Sequence, residues 1–228
     1  QIDSNSFGYG GTEGADTIHA GDGHDEVWSG YAALRDDGAA DFIDGEGGDD
    51  TIYGGTGDTL LGGDDDLVAH GQSGGVVAYG ADGNDAFFGG GGADHFDGGA
   101  DDDRLGGNAG DDVLFGGDGN DWIIGGNGPG LGGDDGDDYL DGGSGNDYLL
   151  GEWGDDTLIG GDGADTLFGD LGDDLIQGGA GNDILDAWSG DNTLDGGDGD
   201  DRLTGMTQRQ QGRLLSLTPM ARNESVTM

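Results

Sequence analysis

GGSGNDYLL at residues 142–150 and GGDGADTLF at 160–168 share one nine-residue pattern, G-G-x-G-x-D-x-U-x, in which U is a large apolar residue. GGDGNDWII (116–124) and GGAGNDILD (178–186) repeat it. Eight units run from Gly133 to Thr204 without a residue gained or lost, and five more from Gly80 to Ile124. Self-similarity at a short fixed period marks a stacked solenoid. Helix is untenable, because Gly at positions 1, 2 and 4 costs ~1 kcal/mol each against Ala. The residues around U make a short strand with U inward and its neighbours outward. Gly and Asp make the turn, where Gly supplies positive φ and close backbone approach. Two units then form one coil with a strand on each side, and roughly ten coils stacked at ~4.8 Å give a rod about 45–50 Å long.

Outward from these blocks the pattern degrades. Residues 1–10 are a lead-in, and units at Gly11 and Ala20 are located by Asp16/Ile18 and Asp25/Val27. SGYAALR at 29–35 interrupts the period, and units from Asp36 and Gly45 resume it with Asp41/Ile43 and Asp50/Ile52. GGTGDTLL (54–61) and GGDDDLVA (62–69) read as eight-residue versions, followed by a degenerate stretch to Tyr79. Residues 11–79 are thus an irregular region, 80–124 a regular block, 125–132 (GGNGPGLG) a degenerate joint without its Asp, and 133–204 a second regular block. Residues 205–228 hold no Asp and three of the six Arg, so they form a separate basic tail: a cap, a secretion-signal remnant or a disordered end.

The net charge is −44 over 228 residues, with 59 Gly, no Lys and no Cys. A chain so acidic and so poor in apolar residues cannot offset its conformational entropy by burial alone. Something must neutralise the carboxylates at regular positions. Nucleic acid and anionic membranes are poor partners for this field, because both repel it. No stretch approaches the ~18 apolar residues of a membrane span. The absence of Cys removes disulfides and thiolate metal sites.

Position 6 is the informative one. In an 18-residue coil, each position-6 Asp lies over the one two units on. In the first block this stacks Asp85, Asp103 and Asp121, and Asp94 with Asp112. In the second it stacks Asp138, Asp156, Asp174 and Asn192, and Asp147, Asp165, Asp183 and Asp201. Carboxylates a few Å apart repel unless a cation lies between them. Carboxylates and Gly-turn carbonyls are hard oxygens, which suit Ca²⁺ with its 6–8 flexible ligands. Mg²⁺ demands stricter octahedra, and Zn²⁺ prefers N or S donors. The expected cofactor is calcium, in several copies.

These units resemble the calcium-binding nonapeptide repeat of RTX (repeats-in-toxin, haemolysin-type) proteins, over residues 11–28 and 36–204 with gaps. The resemblance implies an all-β, right-handed parallel β-roll, a β-solenoid with two nonapeptide units per coil. It implies calcium held by the position-6 residues, including Asp16, Asp25 and Asp50 beside those above, and by carbonyls such as those of Gly116, Gly119, Gly142, Gly145, Gly160 and Gly163. It further implies export by type I secretion machinery, an extracellular location, and folding on calcium loading. Thr59, Gly75 and Gly130 stand at or beside expected Asp positions, so gaps in the calcium stack are expected at 54–79 and 125–132.

No catalytic constellation is present. GQSGG at 71–75 matches a nucleophile elbow formally, but Gly is so abundant that chance matches are expected, and no triad partner appears. His19, His24, His70 and His95 share no ligand spacing and read as exposed turn or strand residues. Trp28, Trp122, Trp153 and Trp188 fall at different repeat positions and form no single stripe, which argues against an aromatic carbohydrate platform. The reading is a calcium-binding module. The alternatives are a repeat appendage of a secreted enzyme or cytolysin, and an adhesin or matrix spacer.

Overall fold

The computed structural model describes residues 7–9, 14–29, 39–63, 65–71, 74–127, 136–206 and 225–227. The described residues are strands and turns, without helix. Successive strands alternate between a 12-stranded and a 10-stranded sheet, and every pairing is parallel. Two parallel sheets joined by short turns are a β-solenoid, as the repeat period implies. Position 8 points inward from both sheets. Leu140, Leu149, Leu158, Leu167, Ile176 and Leu185 are fully buried and form one continuous aliphatic core.

The strands are longer than the D-x-U-x reading allows. Thr157–Asp162 and Thr166–Leu171 each run through the next unit's positions 1 to 3. The Gly pair therefore belongs to the strand, and only positions 4 to 6 turn. Position 2 takes a left-handed backbone that glycine adopts without strain, although Ala81, Asn108, Glu152 and Asp170 also hold a positive φ there. Gly161 has φ +110°, and a β-carbon on it would collide with the Gly143 carbonyl of the preceding coil.

Insertions do not disturb the stack. The coil holds 18 residues where Tyr139 pairs Thr157, 25 where Thr17 pairs Phe42, and 26 where Trp122 pairs Tyr148. The strands on either side of the 29–35 interruption and of the 125–132 joint thus pair in register. In the irregular region GGDDDLVA is not an eight-residue unit. Leu67 pairs with Asp50, which places Leu67 at position 6 and Ala69 at position 8 of a nine-residue unit. Val76 takes position 6 of the next unit, with Ala78 at position 8. All four are buried. Small residues at position 8 leave the volume that the large ones at position 6 fill, as close packing requires.

The outer faces carry aromatic rows, contrary to the reading from Trp alone. Trp28, Tyr53, His70 and Phe88 stack one coil apart, with ring centroids 4.3, 5.0 and 5.2 Å apart. Trp122, Tyr148 and Phe168 form a second row at 4.4 and 5.5 Å. Each row mixes residue types, so a search by Trp could not find it. At the C-terminal end Ser225–Thr227 adds a strand beyond Arg202–Met206, where a cap would sit. The rest of the 207–228 tail lies outside the described residues.

Candidate metal centres

The position-6 residues form two columns, one on each long edge of the solenoid. The turns leading into the 12-stranded sheet carry Asp25, Asp50, Asp85, Asp103, Asp121, Asp147, Asp165, Asp183 and Asp201, with Leu67 between Asp50 and Asp85. The opposite turns carry Asp16, Asp41, Asp58, Asp94, Asp112, Asp138, Asp156, Asp174 and Asn192, with Val76 between Asp58 and Asp94. Asp41 and Asp58 join the expected set. The eight-residue unit 54–61 hid Asp58, because one missing turn residue shifts its phase.

The carboxylates do not face one another directly. Except at Asp50 and Asp58, which face Leu67 and Val76, the backbone N–H of a position-6 residue donates to Oδ1 of the position-6 residue one coil on. Asp85 donates to Asp103 and Asp103 to Asp121, both at 2.8 Å, and Asp165 donates to Asp183 at 3.0 Å. The bond bridges the joint, from Asp112 to Asp138 and from Asp121 to Asp147, both at 2.9 Å. It also bridges the first interruption, from Asp25 to Asp50 at 2.9 Å. The expected gap at 125–132 is therefore absent from the columns, and the break lies at Leu67 and Val76.

With Oδ1 committed, Oδ2 carries the remaining chemistry. The Oδ2 atoms of Asp50, Asp85, Asp103, Asp112, Asp121, Asp138, Asp147, Asp156, Asp165, Asp174, Asp183 and Asp201 are buried without a hydrogen-bond partner. Each points into a cradle that exists because position 1 lacks a side chain. A β-carbon on Gly160 would collide with both Asp165 Oδ2 and the Gly178 carbonyl, and the same pairing recurs at Gly116 with Asp121 and Gly142. A carboxylate oxygen and a neighbouring coil's carbonyl thus converge beside each such glycine. The carbonyls of Gly116, Gly142 and Gly160 fall in this set. Those of Gly119 and Gly145 do not, since they abut the position-4 glycines of the following coil, Gly145 and Gly163. Asp58 and Asp94 differ, as Gly55 and Gly90 N–H groups reach their Oδ2 atoms at 2.6 and 3.2 Å.

Two coils close the cradle. Ala20 and Ala187 occupy position 1 and are fully buried. At the second, Asn192 keeps the hydrogen bond from the Asp174 N–H at 2.7 Å but donates its own amide to the Ala187 carbonyl at 2.7 Å. The Asn preserves the backbone link and removes the anion.

Burial without a counter-charge penalises the ionised carboxyl. It is the largest cause pushing Asp103 and Asp138 up to about 8, with neighbouring carboxylates adding to it and backbone N–H donors opposing it. Asp85, Asp112, Asp147, Asp156 and Asp174 rise to about 7 and Asp50, Asp94, Asp121 and Asp183 to about 6, again chiefly by burial. At neutral pH these sites call for a proton or a hard cation. An all-oxygen donor set on Gly-rich turns fits calcium.

On each edge an outer column went unread because position 5 is variable in the consensus. Its side chains accept from the position-5 N–H of the next coil: Asp173 to Asp155 and Asp155 to Asp137, both at 2.8 Å, and Asn146 to Asn120 at 3.0 Å. The recurrence of Asp or Asn at position 5 was the available signal. These side chains are exposed and hydrogen-bonded, so they carry no comparable cost. Of the histidines, His19 lies on the outer face with Nδ1 3.5 Å from Asp44 Oδ2 and 3.3 Å from Glu46 Oε1. Ser73 of GQSGG lies outside the described residues.

A family model described as the RTX calcium-binding nonapeptide repeat, in four copies, matches residues 11–30, 34–66, 70–105, 79–114, 97–130, 132–167, 159–194 and 168–203. No curated protein matches the chain.

Proposed function

The chain belongs to the RTX calcium-binding nonapeptide repeat family, and we propose that its two inner columns of position-6 aspartates are the calcium ladder. Repeats of this family bind calcium, several ions along the array, and the solenoid is a structural calcium-binding fold rather than a catalytic one. The reading by residue is ours. Calcium would sit beside the position-1 glycines, taking Oδ2 of Asp85, Asp103, Asp121, Asp147, Asp165, Asp183 and Asp201 on one edge. On the other edge it would take Oδ2 of Asp112, Asp138, Asp156 and Asp174. The carbonyls of Gly116, Gly142 and Gly160 add to the shell. The observation that carries this is the repeated orphan Oδ2 in a cradle that only glycine leaves open.

From that follows a folding role. Without a cation the array concentrates buried negative charge, and with one each turn is clamped to the next, so binding free energy becomes folding free energy. Extracellular calcium modules bind at ~10⁻⁴–10⁻³ M. RTX proteins are typically secreted, and we read this chain as folding outside the cell after export by type I secretion machinery. Residues 80–204 act as one continuous calcium-bearing body and 11–79 as its irregular lead. Circular dichroism with and without about 10 mM calcium tests the coupling. A coil-to-β transition specific to calcium supports it, and an unchanged spectrum or an equal response to magnesium overturns it.

A further inference from the structure

Position 9 of the 12-stranded sheet lines up one coil apart on the outer face: Phe88, then Gly106, then Ile124. Gly106 is a rung without a side chain, in line with the row that ends His70–Phe88. Its backbone does not demand glycine, since a β-carbon there would meet nothing nearer than the Phe87 carbonyl at 3.9 Å. The missing rung opens a cleft of about 380 Å³ lined by Phe88, Arg104, Trp122, Ile124, Asn127 and Glu152 among others. Phe88 and Trp122 are 43% and 49% exposed there. Parallel strands lie ~4.8 Å apart, so the slot between Phe88 and Ile124 spans roughly two coils, or room for one intercalated ring. Neighbouring rings in the row sit 5.0 and 5.2 Å apart, the same rise per rung.

We propose that this cleft binds one ring of a neutral glycan, a pyranose seated between Phe88 and Ile124 with a face toward Trp122. Three observations select that class. Rings with apolar faces pack on exposed aromatic side chains. Asn127 Oδ1 is a buried acceptor without a hydrogen-bond partner and requires a donor, while the exposed Arg104 guanidinium offers further donors at the cleft wall. A polyhydroxylated ring supplies both kinds of group around one plane. The charge pattern sets the rest: the chain's net −44 repels acidic sugars, and Arg104 and Glu152 in the cleft offer one donor and one acceptor group to ring hydroxyls. A phenylalanine side chain from a partner would fill the ring slot and leave Asn127 unanswered.

The inference rests on the fold and not on which atoms hold calcium. It is tested on the calcium-saturated full chain by tryptophan fluorescence and calorimetry, with cellohexaose, maltohexaose and chitohexaose as glycan probes and p-cresol as the aromatic probe. At least one glycan binds, and Gly106→Phe, which supplies the missing rung, weakens it more than about tenfold. Asn127→Ala weakens it about threefold or more. Both variants keep the calcium-bound circular dichroism spectrum, which separates loss of the cleft from loss of the fold. No glycan binding up to about 10 mM, equal affinity in Gly106→Phe, or p-cresol binding in preference to every glycan overturns the proposal.

Discussion

From Asp85 to Asp201 the turns bury a carboxylate at position 6 in all units but that of Asn192, whereas at Leu67 and Val76 the same position holds an aliphatic side chain over Ala69 and Ala78. Both arrangements fill the same volume beneath the turn. The first leaves an anion that only a proton or cation can satisfy, and the second leaves nothing to satisfy. Chain length is not what separates them. The coils of 25 and 26 residues keep the Asp25–Asp50 and Asp121–Asp147 links intact, while the 18-residue coil from Asp58 to Val76 breaks the column. On the proposed reading, identity at position 6 and glycine at position 1 decide where calcium can enter.

The sharpest way to break this comparison is to truncate one side chain in each region. Asp147→Ala should abolish calcium binding at the two coils it links and shift the calcium midpoint of folding upward by severalfold. Leu67→Ala should leave the calcium stoichiometry unchanged and cost about 2–5 kcal/mol at saturating calcium, as for a core cavity. Calorimetric stoichiometry and calcium-saturated denaturation separate the two, and equal effects on stoichiometry would erase the distinction.

Protons should substitute for calcium only in the carboxylate region. In the metal-free fold burial pushes Asp50 up to about 6, Asp147 to about 7, and Asp103 and Asp138 to about 8, all above the ordinary carboxylate range. A raised folded value means that the stabilisation is fully present below about pH 4 and is lost as pH rises through about 6 to 8. Calcium-stripped protein should therefore gain β signal on acidification, while apparent calcium affinity climbs over the same rise in pH. A metal-free spectrum that is flat between pH 4 and 8 contradicts the burial argument.

A gentler alteration extends the comparison to the closed cradle. Ala187→Gly with Asn192→Asp should restore an Oδ2 beside an open position 1 and add one calcium ion per chain. Asn192→Asp alone should not, because the Ala187 methyl still fills the space. Stoichiometry by atomic absorption reads both.

Much of this was legible in the period. The apolar residue at position 8 predicts the core column from Leu140 to Leu185, and the 18-residue offset predicts such links as Asp165 to Asp183. The rest depended on geometry that spacing does not encode. A solenoid can close its hydrogen bonds across an insertion, so the link from Asp112 to Asp138 is invisible to a fixed offset. A deleted turn residue hid Asp58 by shifting its phase. The hydrogen bond that ties up Oδ1 is a property of the stacked backbone, so the pattern could name the aspartates without saying which oxygen remained. The aromatic rows mix Trp, Tyr, His and Phe, so no single residue type traces them.

The central claim is about position, and anomalous diffraction from calcium-saturated crystals tests it most directly. The account predicts calcium peaks in two columns beside the position-1 glycines, within coordination distance of Asp147, Asp165 and Asp183 Oδ2 on one edge and Asp138 and Asp156 Oδ2 on the other. No peak is expected beside Leu67 or Val76. Peaks along the outer position-5 column of Asp137, Asp155 and Asp173, with the inner cradles empty, would contradict it.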